Sequence, residues 1–198
     1  MEELTQNVIR QDGGLYNNIG VVKRLITVES YGDTFVIPDG VQMIGEYAFC
    51  SCGKLKHIVI PDSVKHIGAC AFIACTSLKE VVIPDDIKRI ETETFTNCHS
   101  LEKVTLPASL TMMKSDAFCG CNSLKEIIYH KQSFMVDDIL PGVERACQDL
   151  CLDISDPDYL IPLVIDVVLR KWNGVNYMGL FNLYTDHRIL MRNDNLYY

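Results

Sequence analysis

The sequence predicts an α/β solenoid: stacked coils that each carry a short strand, followed by a mainly helical C-terminal cap. Three observations carry this expectation. A phrase recurs four times, as Ile37-Pro38-Asp39-Gly40-Val41, Ile60-Pro61-Asp62-Ser63-Val64, Ile83-Pro84-Asp85-Asp86-Ile87 and Leu106-Pro107-Ala108-Ser109-Leu110. Its prolines stand 23 residues apart, a spacing that marks stacked repeats rather than one ordinary globular core. After about Phe134 the period stops, and apolar positions then follow helical spacing.

Aligned on the period, the repeats give clean columns: Phe49, Phe72, Phe95 and Phe118; Cys52, Cys75, Cys98 and Cys121; Leu55, Leu78, Leu101 and Leu124; Ile58, Val81, Val104 and Ile127. A further column is Ile44, Ile67, Ile90 and Met113, and Thr94 once replaces the alanine of Ala48, Ala71 and Ala117. A coil cannot bury its apolar side alone, so equivalent residues must pile on one another. Within a repeat, Leu55-Lys56-His57-Ile58-Val59-Ile60 reads as a strand, with copies at 78–83, 101–106 and 124–129. Its β-branched content favours a strand, and the proline that follows cannot donate to a ladder. Val64, Ile67, Ala71 and Phe72 have near-helical spacing, which predicts a few residues of helix or turn on the return.

The phrase Ile60-Pro61-x-x-Val64-x-x-Ile67-Gly68-x-x-Ala71-Phe72-x-x-Cys75-x-x-Leu78-x-x-Val81-x-Ile83 closely resembles the BspA-type (Treponema-type) leucine-rich repeat, over roughly residues 32–130. The resemblance implies a parallel β-solenoid with its strands on a concave face. It also implies protein–protein recognition, often adhesion at microbial cell surfaces. The division expected is a degenerate N-terminal cap over 1–31, repeats over 32–134 and a C-terminal cap or small domain over 135–198. In the last part, 137–152 suggests one helix, with its start placed after Pro141-Gly142 as an alternative. A second helix should begin at Asp156-Pro157 or at Pro162, be buried from Leu163 to Trp172 and stop at Asn173-Gly174. The tail from Tyr177 is ambiguous between helix and strand.

Composition narrows the function. The net charge of −8 argues against a large nucleic-acid footprint, which needs clustered Lys and Arg. Residues 160–169 are apolar but carry Pro162 and Asp166 and are too short to insert in a membrane. The acidic start, Met1-Glu2-Glu3-Leu4, is unlike a signal peptide, so a cytoplasmic location is expected, with the cell surface of exported relatives as the alternative. Nine cysteines, an odd number, point to reduced thiols rather than a disulfide scaffold.

No catalytic, cofactor or metal site is expected. Cys50-x-Cys52, Cys119-x-Cys121 and the neighbours Cys98 and His99 invite a zinc reading, but the repeat period already explains that column as core packing. His57, His66, His99, His130 and His187 fall in no common cluster and are expected on the surface. Asp137-Asp138 suits a solvated helix start, and Asp186-His187-Arg188 has no third partner to make a triad.

What the resemblance leaves outward on the concave face is three rows. One is Asp33, Lys56, Lys79, Glu102 and Lys125; the next is Thr34, His57, Glu80, Lys103 and Glu126; the third is Val36, Val59, Val82, Thr105 and Ile128. The third makes a narrow apolar stripe beside alternating charges, suited to docking a protein partner. β-propensity by itself also selects Val, Ile and Thr in strands. The leading expectation is a non-enzymatic interaction module. The alternatives are a targeting arm for an activity in the C-terminal segment, and a structural homo-oligomer.

Overall fold

Each coil turns its corners at residues that repeat. The carbonyls of Pro38, Pro61, Pro84 and Pro107 accept from the amides of Val41, Val64, Ile87 and Leu110, at 3.3, 3.0, 3.0 and 3.1 Å. Proline suits the start of this turn because it brings no donor of its own to satisfy. A second corner follows each cysteine: the amides of Leu55, Leu78, Leu101 and Leu124 reach the carbonyls of Cys52, Cys75, Cys98 and Cys121, all at 3.0 Å.

The computed structural model describes residues 9–19, 22–29, 32–149 and 160–172. The strands begin with β1 (Ile9–Gln11), β2 (Gly14–Ile19), β3 (Val22–Val28), β4 (Thr34–Val36) and β5 (Val41–Ile44). The repeats continue with β6 (His57–Val59), β7 (His66–Ile67), β8 (Glu80–Val82), β9 (Arg89–Ile90), β10 (Lys103–Thr105) and β11 (Met112–Met113). Then come β12 (Glu126–Tyr129), β13 (Gln132–Met135), α1 (Val136–Asp149) and α2 (Leu160–Trp172).

One wall of the solenoid is a six-stranded sheet in the order β13-β12-β10-β8-β6-β4. It is parallel from β4 to β12, and β13 folds back antiparallel. These strands are three or four residues long rather than six, because Leu55 and its copies are spent on the corner. The second wall is also made of strands. It begins as β1-β2-β3-β5-β7 and resumes as the pair β11-β9. The expected short helix or turn on the return is therefore a strand of two to four residues followed by consecutive turns. Through those turns alternate amides reach the next coil, as Tyr47 to Ala69, Phe49 to Ala71 and Ser51 to Ile73 (3.2, 2.8 and 2.8 Å). The amides between them bond three residues back, such as Cys50 to Tyr47 at 3.0 Å. This alternation needs left-handed backbone, found at Tyr47, Cys70 and Glu93 and again at Ser51, Ala74, Asn97 and Gly120.

The columns form the core. The rings of Phe49, Phe72, Phe95 and Phe118 stack with centroids 4.8, 5.2 and 5.1 Å apart, nearly parallel at 13°, 1° and 15°. Phe35 closes the series edge-on at 5.3 Å. The thiols of Cys75, Cys98 and Cys121 donate to the carbonyls of Phe49, Phe72 and Phe95 one coil back, at 3.1, 3.3 and 3.2 Å. Thr94 fits the alanine column, fully buried, because its hydroxyl donates to the Glu91 carbonyl at 2.8 Å.

At the N-terminal end, β2 runs antiparallel to both β1 and β3, and β3 joins the second wall parallel to β5. At the other end, α1 starts at Val136, whose amide bonds the Lys125 carbonyl at 2.8 Å. Asp137 and Asp138 occupy its first turn, where the helix dipole favours negative charge. The helix runs through Pro141 rather than starting after it. Pro141 lies inside the helix and forfeits the one bond that an amide there would make to the Asp137 carbonyl. In α2, Pro162 sits in the first turn, where its missing donor costs nothing. Ile161, Leu163, Val164, Ile165, Val167 and Val168 are buried in the same core as Leu124 and Ile127 of the last coil. The helix start at Asp156-Pro157, the stop at Asn173-Gly174 and the tail from Tyr177 lie outside the described residues.

Candidate functional site

The six-stranded sheet brings the expected rows into register. Thr34 pairs His57, His57 pairs Glu80, Lys103 pairs Glu80, and Lys103 pairs Glu126. Val36 pairs Val59, and Thr105 pairs both Val82 and Ile128. The buried residue between the rows, such as Val81 or Val104, points into the core, as strand alternation requires. Asp33, Lys56, Lys79, Glu102 and Lys125 stand just before the strands and are linked along the stack. The amides of Lys56, Lys79, Glu102 and Lys125 each reach the preceding coil's row member, at 2.7, 3.1, 2.8 and 2.9 Å.

The apolar row is open at one end. Val36, Val59 and Val82 are 57%, 51% and 60% exposed, whereas Thr105 and Ile128 are half-buried toward the end where β13 folds back. The flanking charges pair across coils: Lys56 with Asp33 at 3.7 Å, Lys125 with Glu102 at 3.2 Å, His57 with Glu80 at 3.9 Å and Lys103 with Glu126 at 2.9 Å. Hydrogen bonds from Ser133 (2.6 Å) and Lys103 hold the Glu126 carboxyl below the usual carboxylate range. Solvated pairs of this kind are weak.

The cysteine column is poor metal-binding material. A metal needs thiolates. The neighbouring Cys98 thiol, together with burial, pushes the Cys75 thiol far up, and the Cys121 thiol and burial act likewise on Cys98. Among the described residues, no group of three or more His, Cys, Asp and Glu side chains could hold a metal ion, and no helix is long and apolar enough to cross a membrane. His57, His66 and His99 are exposed and His130 half-buried; His99 Nδ1 lies 2.9 Å from the Gly120 carbonyl. His187 lies outside the described residues.

Two hollows had no counterpart in the sequence reading. One, of about 640 Å³, lies against the outer edge of β4 and is lined by Thr34, Val36 and Pro38 with Asp12 and Gly13 of the β1–β2 turn. The other, of about 420 Å³, lies where the second wall is interrupted, between His66 of β7 and Arg89 of β9. The one sequence signal was the column Gly45, Gly68, Glu91 and Lys114. A Cβ on Gly68 would stand 2.6 Å from the Glu46 amide nitrogen of the preceding coil. Glu91, in the same column, carries that Cβ, and the ladder breaks between its coil and the one before.

The repeats have known counterparts. The model of the BspA type leucine rich repeat region matches residues 29–139 in six copies, more than half of the chain. Among solved structures, the chain is similar to a leucine rich cell surface protein from Faecalibacterium prausnitzii (29% identity, TM-score 0.51). The match covers 64% of this chain and 40% of that one, so the chain spans well under half of that protein. A T. pallidum leucine rich repeat protein matches at 26% identity and TM-score 0.55, over 64% of this chain and 65% of that one. A leucine-rich repeat protein from Bacteroides capillosus matches at 24% identity and TM-score 0.57, over 63% and 99%, and shows the same fold. No curated protein matches the chain. Leucine-rich-repeat solenoids generally serve as protein-interaction modules. With its stacked phenylalanines, its cysteine corners and a family match across all of its coils, the chain belongs to the BspA-type leucine-rich repeat family.

Proposed function

We propose that the chain is a non-enzymatic interaction module that docks a protein partner on the outward face of its six-stranded sheet, the face expected to be concave. The observation that carries this is the row Val36, Val59 and Val82, each more than half exposed, with Val36 paired to Val59 and the His57–Glu80 pair bringing Val82 alongside. β-propensity explains a valine in any one strand, but threonine would serve a solvated face equally well. Three adjoining exposed valines set beside Lys56, His57, Lys79 and Glu80 give apolar anchors flanked by charges of both signs. Glu102, Lys103, Thr105, Lys125, Glu126 and Ile128 extend the surface toward β12.

The test is Val82→Lys. Val82 makes no core contact that lysine would break, so the melting temperature should stay within about 2 °C of wild type. Affinity for the partner captured by the full chain should fall about tenfold or more. A partner that binds the variant as tightly as wild type would overturn the proposal.

A further inference from the structure

β4 is the last strand of the six-stranded sheet and pairs only with β6 among the described residues. In a parallel ladder, alternate residues direct both main-chain groups to the same neighbour. The His57 amide bonds the Asp33 carbonyl at 2.9 Å, and the Ile37 amide bonds the Val59 carbonyl at 3.0 Å. Asp33, Phe35 and Ile37 thus face β6. Thr34 and Val36 turn their N–H and C=O groups the other way, toward the open edge, and have no bonded neighbour there among the described residues.

The opposite wall does not stop at this level, because β3, β2 and β1 continue beyond β5. The end of the solenoid is therefore staggered. Where the first wall lacks a strand there is the cavity of about 640 Å³. Thr34, Val36 and Pro38 line it, together with Asp12 and Gly13 of the β1–β2 turn. The Glu29 amide holds the Gly13 carbonyl at 2.8 Å and so fixes the turn beside the chain entering β4.

We propose that this cavity is a strand-addition site, in which an extended segment of a partner protein lies along β4 and continues the sheet. Main-chain bonds to Thr34 and Val36 would supply the affinity, and alternate side chains the specificity. The residue beside Val36 would be apolar and β-branched, prolonging the valine row. Asp12 lines the cavity and Asp33 flanks it, both exposed, so the segment would carry a Lys or Arg toward them. The β1–β2 turn argues for a slender occupant. A second solenoid docking through its own β4 would bring its own Asp12–Gly13 turn into the same space. The site shares Val36 with the valine row but does not include Val82, so its binding should survive Val82→Lys.

The chain supplies a matched probe. A capped peptide with the sequence of residues 55–60, Leu-Lys-His-Ile-Val-Ile, copies the strand that already pairs with the other side of β4. The experiment titrates it against the full chain while following amide hydrogen exchange. Binding should slow exchange at Thr34 and Val36. Val36→Pro deletes an outward donor while leaving the inward bonds, a substitution that edge strands accept. It should weaken the peptide about tenfold with the melting temperature little changed. Asp12→Lys should weaken it as well, and carries the test if the proline variant fails to fold. No protection at Thr34 and Val36 under saturating peptide overturns the proposal. So do amides there that are already slow without peptide, which would mean that the chain itself covers the edge. Self-association of the wild type that Val36→Pro abolishes would also overturn it, and would assign the edge to a second copy.

Discussion

At the scale of single residues, the repeat holds its side chains by bonds that run from coil to coil. Ser133 and Lys103 both donate to Glu126, and together they hold its carboxyl below its ordinary range. A carboxyl whose folded pKa is depressed contributes stability that is full above its unfolded value and lost as pH falls through the folded one. Ser133→Ala removes the largest cause, so Glu126 should titrate closer to an ordinary glutamate, with a small effect on stability at neutral pH because the pair is solvated. A pH titration of the Glu126 side chain by NMR checks this; an unchanged midpoint would mean that Lys103 alone sets it. Such bonds could not be read in advance, since nothing in the local sequence ties Ser133 to Glu126 until β13 folds back on β12. The phenylalanine and cysteine columns could be read, because stacking places like on like and leaves the period in the sequence.

At the scale of elements, the sequence shows corners better than it shows strands. Pro61 and Cys75 mark turns with one residue each, but His66 and Ile67 form a strand too short to carry any alternation. The left-handed residues Tyr47, Cys70, Glu93, Ser51 and Ala74 are not glycines, so no local signal marks them, although such backbone costs about 1–2 kcal/mol per residue. The broken rung on the second wall has a cause that can be tested. In the coils of Gly45 and Gly68 the amides reach Leu25 and Ile44, at 2.7 and 3.0 Å. Glu91 makes no matching bond to Ile67. In the next coil Lys114 carries a side chain at this position yet keeps its bond to Ile90 at 3.0 Å, while in Glu91's own coil the Glu93 amide turns to the Asp116 side chain at 3.3 Å. Of the two coils with a side chain in this column, that of Lys114 keeps this bond and pairs with β9, and that of Glu91 loses both the bond and the pairing to β7. Glu91→Gly should let β9 close on β7, and exchange of the residue 91 amide should slow about tenfold as it gains a bond. Exchange as fast as in the wild type would show that the Cβ does not keep the coils apart.

At the scale of the whole molecule, a solenoid is stable only when both ends are covered, because each coil leans on its neighbours alone. Here the two ends are treated differently. The first coil is followed outward by the antiparallel strands β1 to β3 on one wall only, which leaves β4 as an edge. The last coil meets β13 and then α2, whose Val164, Ile165 and Val168 are wholly or almost wholly enclosed with Leu124 and Ile127. The apolar character of residues 163–172 made that burial legible in the sequence, but not which coil the helix would meet. Val164→Asp places an unpaired carboxylate in this seam and should lower stability by roughly 3 kcal/mol or more. Because coupling passes from neighbour to neighbour, the loss should be graded. Hydrogen exchange should accelerate most in β12, less in β8 and least in β6, while an exposed control such as Val82→Lys leaves all three unchanged. Equal acceleration in every strand would mean that the coils open as one unit. Acceleration confined to α2 would mean that the helix lies against the solenoid without supporting it, and the last coil would then have to be held by β13 alone.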